Sequence, residues 1–158
     1  MSVEEWALIA SVVFAGLWSG LLAMLTLVLH PLLKGMDGPG FTRFMEGFLP
    51  IARKSWFNYA CVLGLIFAPA VALWALDKDS TEFTLTVFGF ACTAIGPLAV
   101  SNRLAGPNYD VILGWDPDAL PDDWEQAHKR YFALNWIRAT LTWAAFGLFL
   151  AALVELLR

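Results

Sequence analysis

Three long stretches of this chain carry no charged residue, and this feature constrains the fold more than any other. They run from Trp6 to Leu29, from Phe57 to Leu76 and from Phe83 to Val100. Each is about long enough to cross a hydrocarbon core of ~30 Å as a helix. Hydrophobic residues make up 59% of the 158 residues and the mean hydropathy is +0.63, whereas soluble domains are about half apolar. The sequence therefore predicts an integral membrane protein.

A fourth apolar run, Ala139 to Val154, is short by itself. It becomes long enough to span the membrane if its helix begins near Tyr131, and this places Asn135 and Arg138 inside the helix. We predict an all-α fold, a four-transmembrane-helix bundle in a single domain, with spans at about residues 6–33, 56–76, 82–103 and 129–156. The opening "MSVEEW" lacks the basic region of a signal peptide, so we expect the first segment to remain in the mature protein.

The distribution of Lys and Arg predicts the orientation. Seven basic residues lie in or beside the first and third loops: Lys34, Arg43, Arg53, Lys54, Arg103, Lys129 and Arg130. Only Lys78 and Arg158 lie on the opposite side of the membrane. Basic loops stay in the cytoplasm. We expect loops one and three to be cytoplasmic and both termini to be outside.

Loop one begins with the helix-breaking cluster "GMDGPG" and then changes character. Phe41, Phe44, Met45 and Phe48 recur at helical spacing among basic residues. This pattern predicts a short amphipathic helix that lies at the membrane interface. The alternative is a helix that packs over the end of the bundle.

Loop three has five acidic residues between Asp116 and Glu125. A calcium loop that starts at Asp116 needs a glycine where Pro121 stands, so the spacing opposes calcium binding. We instead expect Asp122 to cap the fourth helix, with Glu125 completing a D-x-x-E variant of the capping box.

A helix that starts there carries polar and aromatic residues along one face. These are Trp124, His128, Tyr131, Asn135, Arg138 and Thr142. Arg138 can extend to the headgroups as an anchor. A buried cation in a membrane helix, however, is by default a functional-site hypothesis, because its isolated burial is costly.

Polar residues at the same end of the other helices can complete this site. They are His30, Asn58, Tyr59, Asn102, Arg103 and Asn108. No acidic residue lies in the interior of the spans. We therefore expect Arg138 to point into the bundle and to have Asn108 as its first acceptor, followed by Asn102, free backbone carbonyls or Asp110. Gly16 and Gly20 form a G-x-x-x-G, a spacing typical of helix packing.

The number and spacing of the possible metal ligands argue against most kinds of metal site. Glu125 and His128 form a single Glu-x-x-His unit, whereas a di-iron bundle needs two. Two histidines are too few for a three-His site, and Cys61 and Cys92 have the isolated positions of packing residues. We expect no cofactor, with haem held by His30 and His128 as the alternative. No basic groove with stacking aromatics indicates nucleic acid as a partner.

Three segments, "VLHPLLKGMDGPGF", "GPNYDVILGWDP" and "PDDWEQAHKRYFALNWIRATLTWAAF", resemble the anthrone-oxygenase-like family of small four-helix membrane proteins. The resemblance covers nearly the whole chain and is most specific at Pro107 and Asn108, Asp123 and Trp124, Arg130 and Tyr131, and Arg138. Family members often have Trp where this chain has Tyr131 and His where it has Asn135.

The resemblance implies an oxidoreductase of a bacterial inner membrane that converts a flat aromatic or quinone-type small molecule with O₂ and without a bound cofactor. An acidic CH₂ between aryl rings would lose a proton, and its enolate would react with O₂. Such a site needs a base, donors for the enolate oxygen and an apolar slot. His128 is the expected base and Arg138, Asn108 and Asn135 the expected donors. The expected binding residues are His30, Asn102, Trp124, Tyr131, Asn135 and Trp136.

Two other functions stay open from the sequence. Eight Trp and twelve Phe residues suit an accessory or scaffold subunit that contacts lipid and other membrane subunits. Carriage of a lipid or another hydrophobic small molecule is the third possibility. A polar face that surrounds a cavity favours the enzyme, and one that is closed by side chains or faces a partner favours the subunit.

Overall fold

The computed structural model describes all 158 residues and contains five helices. They are α1 (Val3–Lys34), α2 (Gly38–Lys54), α3 (Trp56–Ala75), α4 (Thr81–Leu113) and α5 (Trp124–Leu156). All but α2 are long and apolar enough to cross a membrane. The only extended pairing is an isolated bridge between Asp116 and Ala119. The predicted all-α fold with four spanning helices is confirmed.

Side-chain caps fix where three of these helices begin. Ser2 and Glu5 form a reciprocal capping box at α1, and Asp37 and Ser80 accept backbone N–H bonds at the starts of α2 and α4. Each such cap satisfies a donor that has no partner within the helix.

The predicted cap at Asp122 is wrong. Helix α5 begins at Trp124, and its N-cap residue, Asp123, makes no side-chain capping bond. A turn takes over the role, because the N–H of Trp124 bonds to the carbonyl of Pro121. Glu125 accepts a hydrogen bond from Lys129 at 3.2 Å and does not reach back to the helix start.

Two of the long helices contain π-helical segments, Met24–Leu29 in α1 and Ala94–Ala105 in α4. Beyond its π segment α4 continues as an α-helix over Gly106–Leu113, ten residues past the end that we predicted at 103. Pro107 is the second residue of this α-helical segment, where the hydrogen-bond pattern of α4 changes from π to α, so its missing N–H costs little. Short π segments occur frequently at functional sites.

The four long helices form a ring in which α5 packs against α1 and α4, and α3 packs against the same two neighbours from the other side. Glycine permits several close contacts. Gly64 lies under the ring of Phe14, and a Cβ at Gly89 would come within 2.6 Å of Phe149. In the G-x-x-x-G, Gly16 packs against Phe146 whereas Gly20 has no neighbouring atom within 4 Å. Only half of that motif therefore serves helix packing.

Helix α2 packs over one end of the ring, as in the second of the two possibilities considered for it. Phe41, Met45 and Leu49 are fully buried against α4 and α5, while Phe44 and Phe48 stack on each other at 5.5 Å. Two ion pairs also connect α2 to the third loop and to α4. They join Arg43 to Asp118 at 2.8 Å and Arg53 to Asp110 at 2.6 Å.

Candidate functional site

A cavity of about 780 Å³ lies beneath the C-terminal half of α2, where all five helices contribute to its wall. Helix α5 supplies Tyr131 and Arg138, and α1 supplies Trp18 together with aliphatic side chains of its π segment. The polar residues from the other helices are Arg53, Asn58, Tyr59, Ser101, Asn102, Tyr109 and Asp110. Most of the remaining lining is apolar, which is typical of small-molecule sites.

Arg138 points into the bundle, as predicted, and is 9% exposed. One of its terminal nitrogens, Nη1, donates to the hydroxyl of Tyr109 and to Oδ1 of Asn135, both at 2.9 Å. The Tyr109 hydroxyl in turn donates to the same Asn135 oxygen at 3.3 Å. These acceptors are neutral and no carboxylate contacts Arg138. The guanidinium is therefore held in place by neutral partners, and no acidic group compensates its positive charge.

Our ranking of Asn108 as the first acceptor for Arg138 is wrong. Its amide nitrogen donates to the carbonyl of Ala127 at 3.1 Å and so joins α4 to α5. The helical continuation of α4 explains the difference, because it places Tyr109, the next residue, on the side that faces Arg138.

Four buried polar atoms of the cavity residues have no hydrogen-bond partner in the protein. They are Nε1 of Trp18, Oγ of Ser101, the hydroxyl of Tyr131 and Nε of Arg138. Buried polar groups are nearly always paired, and an unmet one costs about 1–3 kcal/mol. The indole and guanidinium nitrogens can only donate. These residues line the cavity, but the four atoms are themselves buried in its wall. The wall therefore contains unpaired donors beside an arginine whose charge no carboxylate compensates.

His128 and Trp124 lie outside the cavity, although they share the predicted helix face. The His128 ring packs edge-on against Phe41 at 4.5 Å and Phe132 at 4.9 Å, and Trp124 covers it at 5.3 Å. Trp136 is 39% exposed and packs against Trp143. Of the residues predicted for the site, Asn58, Tyr59, Asn102, Tyr131 and Arg138 line the cavity, and Asn135 accepts a hydrogen bond from Arg138.

His30 is fully buried on α1, with its ring among Tyr131, Phe132 and Trp136. Neither of its ring nitrogens has a partner in the protein. The arrangement does not fit the haem alternative, because neither His30 nor His128 lines the cavity in which a flat macrocycle would need to sit. No group of three or more His, Cys, Asp and Glu side chains is placed to hold a metal ion.

The sequence analysis missed several cavity residues, above all Tyr109 and Trp18. Tyr109 lies beyond residue 103, where we predicted the third span to end, and the signal that points to a longer helix is the tolerance of proline at the start of a helical segment. Trp18 lies in an apolar run where nothing distinguishes it from a packing residue.

Comparisons with family models, with curated proteins and with solved structures find no match to this chain.

Proposed function

We propose that this protein is a membrane-embedded oxidoreductase that binds a flat aromatic or quinone-type molecule in the cavity and converts it with O₂. One observation carries the proposal: residues from three different helices, each with an unpaired buried polar atom, line a single, mostly apolar cavity around an arginine that no carboxylate contacts. The resemblance to anthrone-oxygenase-like proteins supplies the reaction class. We place the protein in a bacterial inner membrane, with loops one and three in the cytoplasm.

The dimensions and surface of the cavity suit such a ligand. Drug-sized ligands occupy cavities of about 300–1,000 Å³, and this one measures about 780 Å³. Leu22, Leu25, Phe57, Val62 and Pro97 supply apolar surface to it. A three-ring aromatic molecule would be held by these side chains while its oxygen atoms meet the donors.

Arg138 would supply the main electrostatic stabilisation. Loss of a proton from the CH₂ group of an anthrone places negative charge on the carbonyl oxygen at the opposite position of the central ring, because the two are conjugated through the aryl rings. A fixed cation in an apolar cavity stabilises that charge more strongly than water does, because it needs no reorganisation. Tyr109 and Asn135 keep the guanidinium in position through their hydrogen bonds.

The reaction balances without a further reductant. The enolate transfers an electron to O₂, and the two radicals combine at the former CH₂ carbon. Loss of water then leaves a new carbonyl. One oxygen atom of O₂ thus enters the product, and the other leaves as water with the two hydrogens of the CH₂ group.

The base cannot be His128 in this arrangement, because its ring lies among Phe41, Trp124 and Phe132. Asp110 is the only carboxylate that lines the cavity. Its side chain is 64% exposed, so a proton that it accepts can pass to water. We therefore assign the role of general base to Asp110.

The alternative of an accessory subunit has no comparable support. That alternative predicts that the polar face of α5 is closed by side chains or faces a partner. Arg138 and Tyr131 instead line a cavity, and only the part of the face around His128 is closed.

The proposal can be tested with anthrone as the probe. The purified protein in lipid nanodiscs should consume O₂ and form anthraquinone above the rate of uncatalysed oxidation, and Arg138→Leu should return the rate to that background. Arg103→Leu is the matched control, since Arg103 is exposed and does not line the cavity. If the wild-type protein neither binds anthraquinone nor speeds anthrone oxidation, the proposed function is wrong.

A further inference from the structure

We infer that the ligand of this cavity carries a second acidic group, which binds Arg53 at the mouth in place of Asp110. The inference rests on the proposed function, because it assumes that the cavity binds the ligand whose oxygen faces Arg138. It narrows the ligand class to flat aromatic molecules with a carboxylate or a comparable anion at one end.

Two arginines, Arg53 and Arg138, line the cavity, and each donates a hydrogen bond to one of two consecutive residues of α4. Tyr109 contacts Arg138 at 2.9 Å, and Asp110 contacts Arg53 at 2.6 Å. Arg138 is buried and the side chain of Arg53 is 43% exposed, so one cation lies in the interior of the bundle and the other nearer its surface. A rigid ligand can meet both only if it has an acceptor at each end.

The two cations differ in burial and in partner. Arg138 is buried and has only neutral acceptors, so it can receive an oxygen of the reacting ring. The side chain of Arg53 is 43% exposed and that of Asp110 64% exposed. Ion pairs with this exposure contribute little to stability, about 0–1 kcal/mol. A ligand carboxylate can therefore replace Asp110 at small cost.

Arg53 is positioned for such an exchange. It lies in the last turn of α2, and the amide of Asn58 holds that turn by donating to the carbonyl of Ala52 at 2.7 Å. Asp110 contacts only Nη1 of Arg53, whereas a guanidinium can bind a carboxylate through two nitrogens. Exchange would also free Asp110 from its ion pair and leave its carboxylate available as a base.

The test compares two probes of nearly the same shape, anthraquinone-2-carboxylate and the neutral 2-methylanthraquinone. Quenching of tryptophan fluorescence measures binding to the protein in nanodiscs, since Trp18 lines the cavity. Wild type should bind the carboxylate more tightly. Arg53→Gln should weaken binding of the carboxylate roughly fivefold, the upper range for a partly exposed pair. It should leave the methyl compound within about twofold of wild type.

Asp110→Asn should have the opposite effect, because it removes the competing carboxylate and leaves Arg53 in place. We expect binding of anthraquinone-2-carboxylate to tighten about threefold, again with little change for the methyl compound. Lys54→Gln is the matched control, because it removes one positive charge next to Arg53 from a side chain that does not line this cavity.

The results separate the two proposals. If both probes bind and Arg53→Gln affects them equally, the inference about the acidic group is wrong and the cavity assignment stands. If neither probe binds the wild-type protein, or if Arg138→Leu leaves both affinities unchanged, the proposed function fails and the inference falls with it. The affinity for the methyl compound also shows that each variant has folded.

Discussion

The hydroxyl of Tyr109 accepts a hydrogen bond from the guanidinium of Arg138, which lies 29 residues later in the chain. This contact joins α4 to α5 and gives a buried cation a neutral partner. An acid in the same position would have cancelled the charge. The pairing with a phenol instead leaves Arg138 attractive to an anionic oxygen from a ligand.

Arg138→Leu should abolish binding of 2-methylanthraquinone while the protein still inserts and folds. Arg138→Lys should keep the charge but lose the planar arrangement of donors, and we expect it to weaken binding about tenfold. Fluorescence quenching measures the affinity, and size-exclusion chromatography in detergent reports folding. Unchanged binding by Arg138→Leu would mean that the residue is only a structural anchor.

Tyr109→Phe and Tyr131→Phe remove the same atom with different consequences. The Tyr109 hydroxyl bonds to both Arg138 and Asn135, so its loss should destabilise the protein by about 1–3 kcal/mol and lower the apparent Tm. The Tyr131 hydroxyl has no partner in the protein, so its loss removes an unmet buried group. It should leave Tm unchanged or raise it, and it should weaken ligand binding. Equal effects on Tm would contradict this assignment.

Gly89→Ala should destabilise the bundle. The added methyl group would come within 2.6 Å of the Phe149 ring on α5, and such overpacking costs about 1–3 kcal/mol. Gly147→Ala adds the same group where no atom lies within 4 Å, so it should be neutral. Thermal denaturation of the purified variants measures the difference, and a comparable loss in both would show that α4 and α5 do not pack this closely.

Asp110→Asn should separate binding from turnover. The substitution should tighten binding of anthraquinone-2-carboxylate, yet slow anthrone oxidation about a hundredfold, a typical contribution of a general base. O₂ consumption at saturating anthrone measures the rate. A variant that binds more tightly and oxidises anthrone at the wild-type rate would show that another group takes the proton.

The orientation can be tested by labelling intact cells with a membrane-impermeant maleimide. The native Cys61 and Cys92 are first replaced by Ala, and single cysteines are introduced at Ser2, Asp79 and Asp122. Because basic residues concentrate in loops one and three, the first two positions should react from outside and Asp122→Cys should be protected. The reverse pattern would invert the proposed topology.

The fold was largely predictable from the sequence, because uncharged runs of sufficient length leave few alternatives in a membrane. The inward position of Tyr131, Asn135 and Arg138 was predictable for a similar reason, since helical spacing and the cost of burying a charge both point to the bundle interior. Helix starts were less predictable: Asp122 has the glutamate of a capping box three residues later and makes no cap, whereas Asp37 has Gly40 at that position and caps its helix.

The composition of the cavity was not predictable from an α-helical period. In α4 the lining includes Pro97, Ser101 and Gly106, spaced by four and five residues, because the π segment has i→i+5 hydrogen bonds and wider turns. His128 illustrates the opposite error, since it follows the α-helical spacing of α5 but lies where α2 covers the bundle. Packing of α2 over that end, which the sequence left open, decided this outcome.

The four unpaired polar atoms of the cavity also connect ligand supply to the lifetime of the protein. A molecule that satisfies them binds only the folded chain, and at a hundred times its Kd it would add about 2.7 kcal/mol to the free energy of unfolding. Changes of that size alter the fraction of molecules that membrane proteases can degrade. Cells that supply the ligand would then keep more of this protein, so its abundance would report the presence of its substrate.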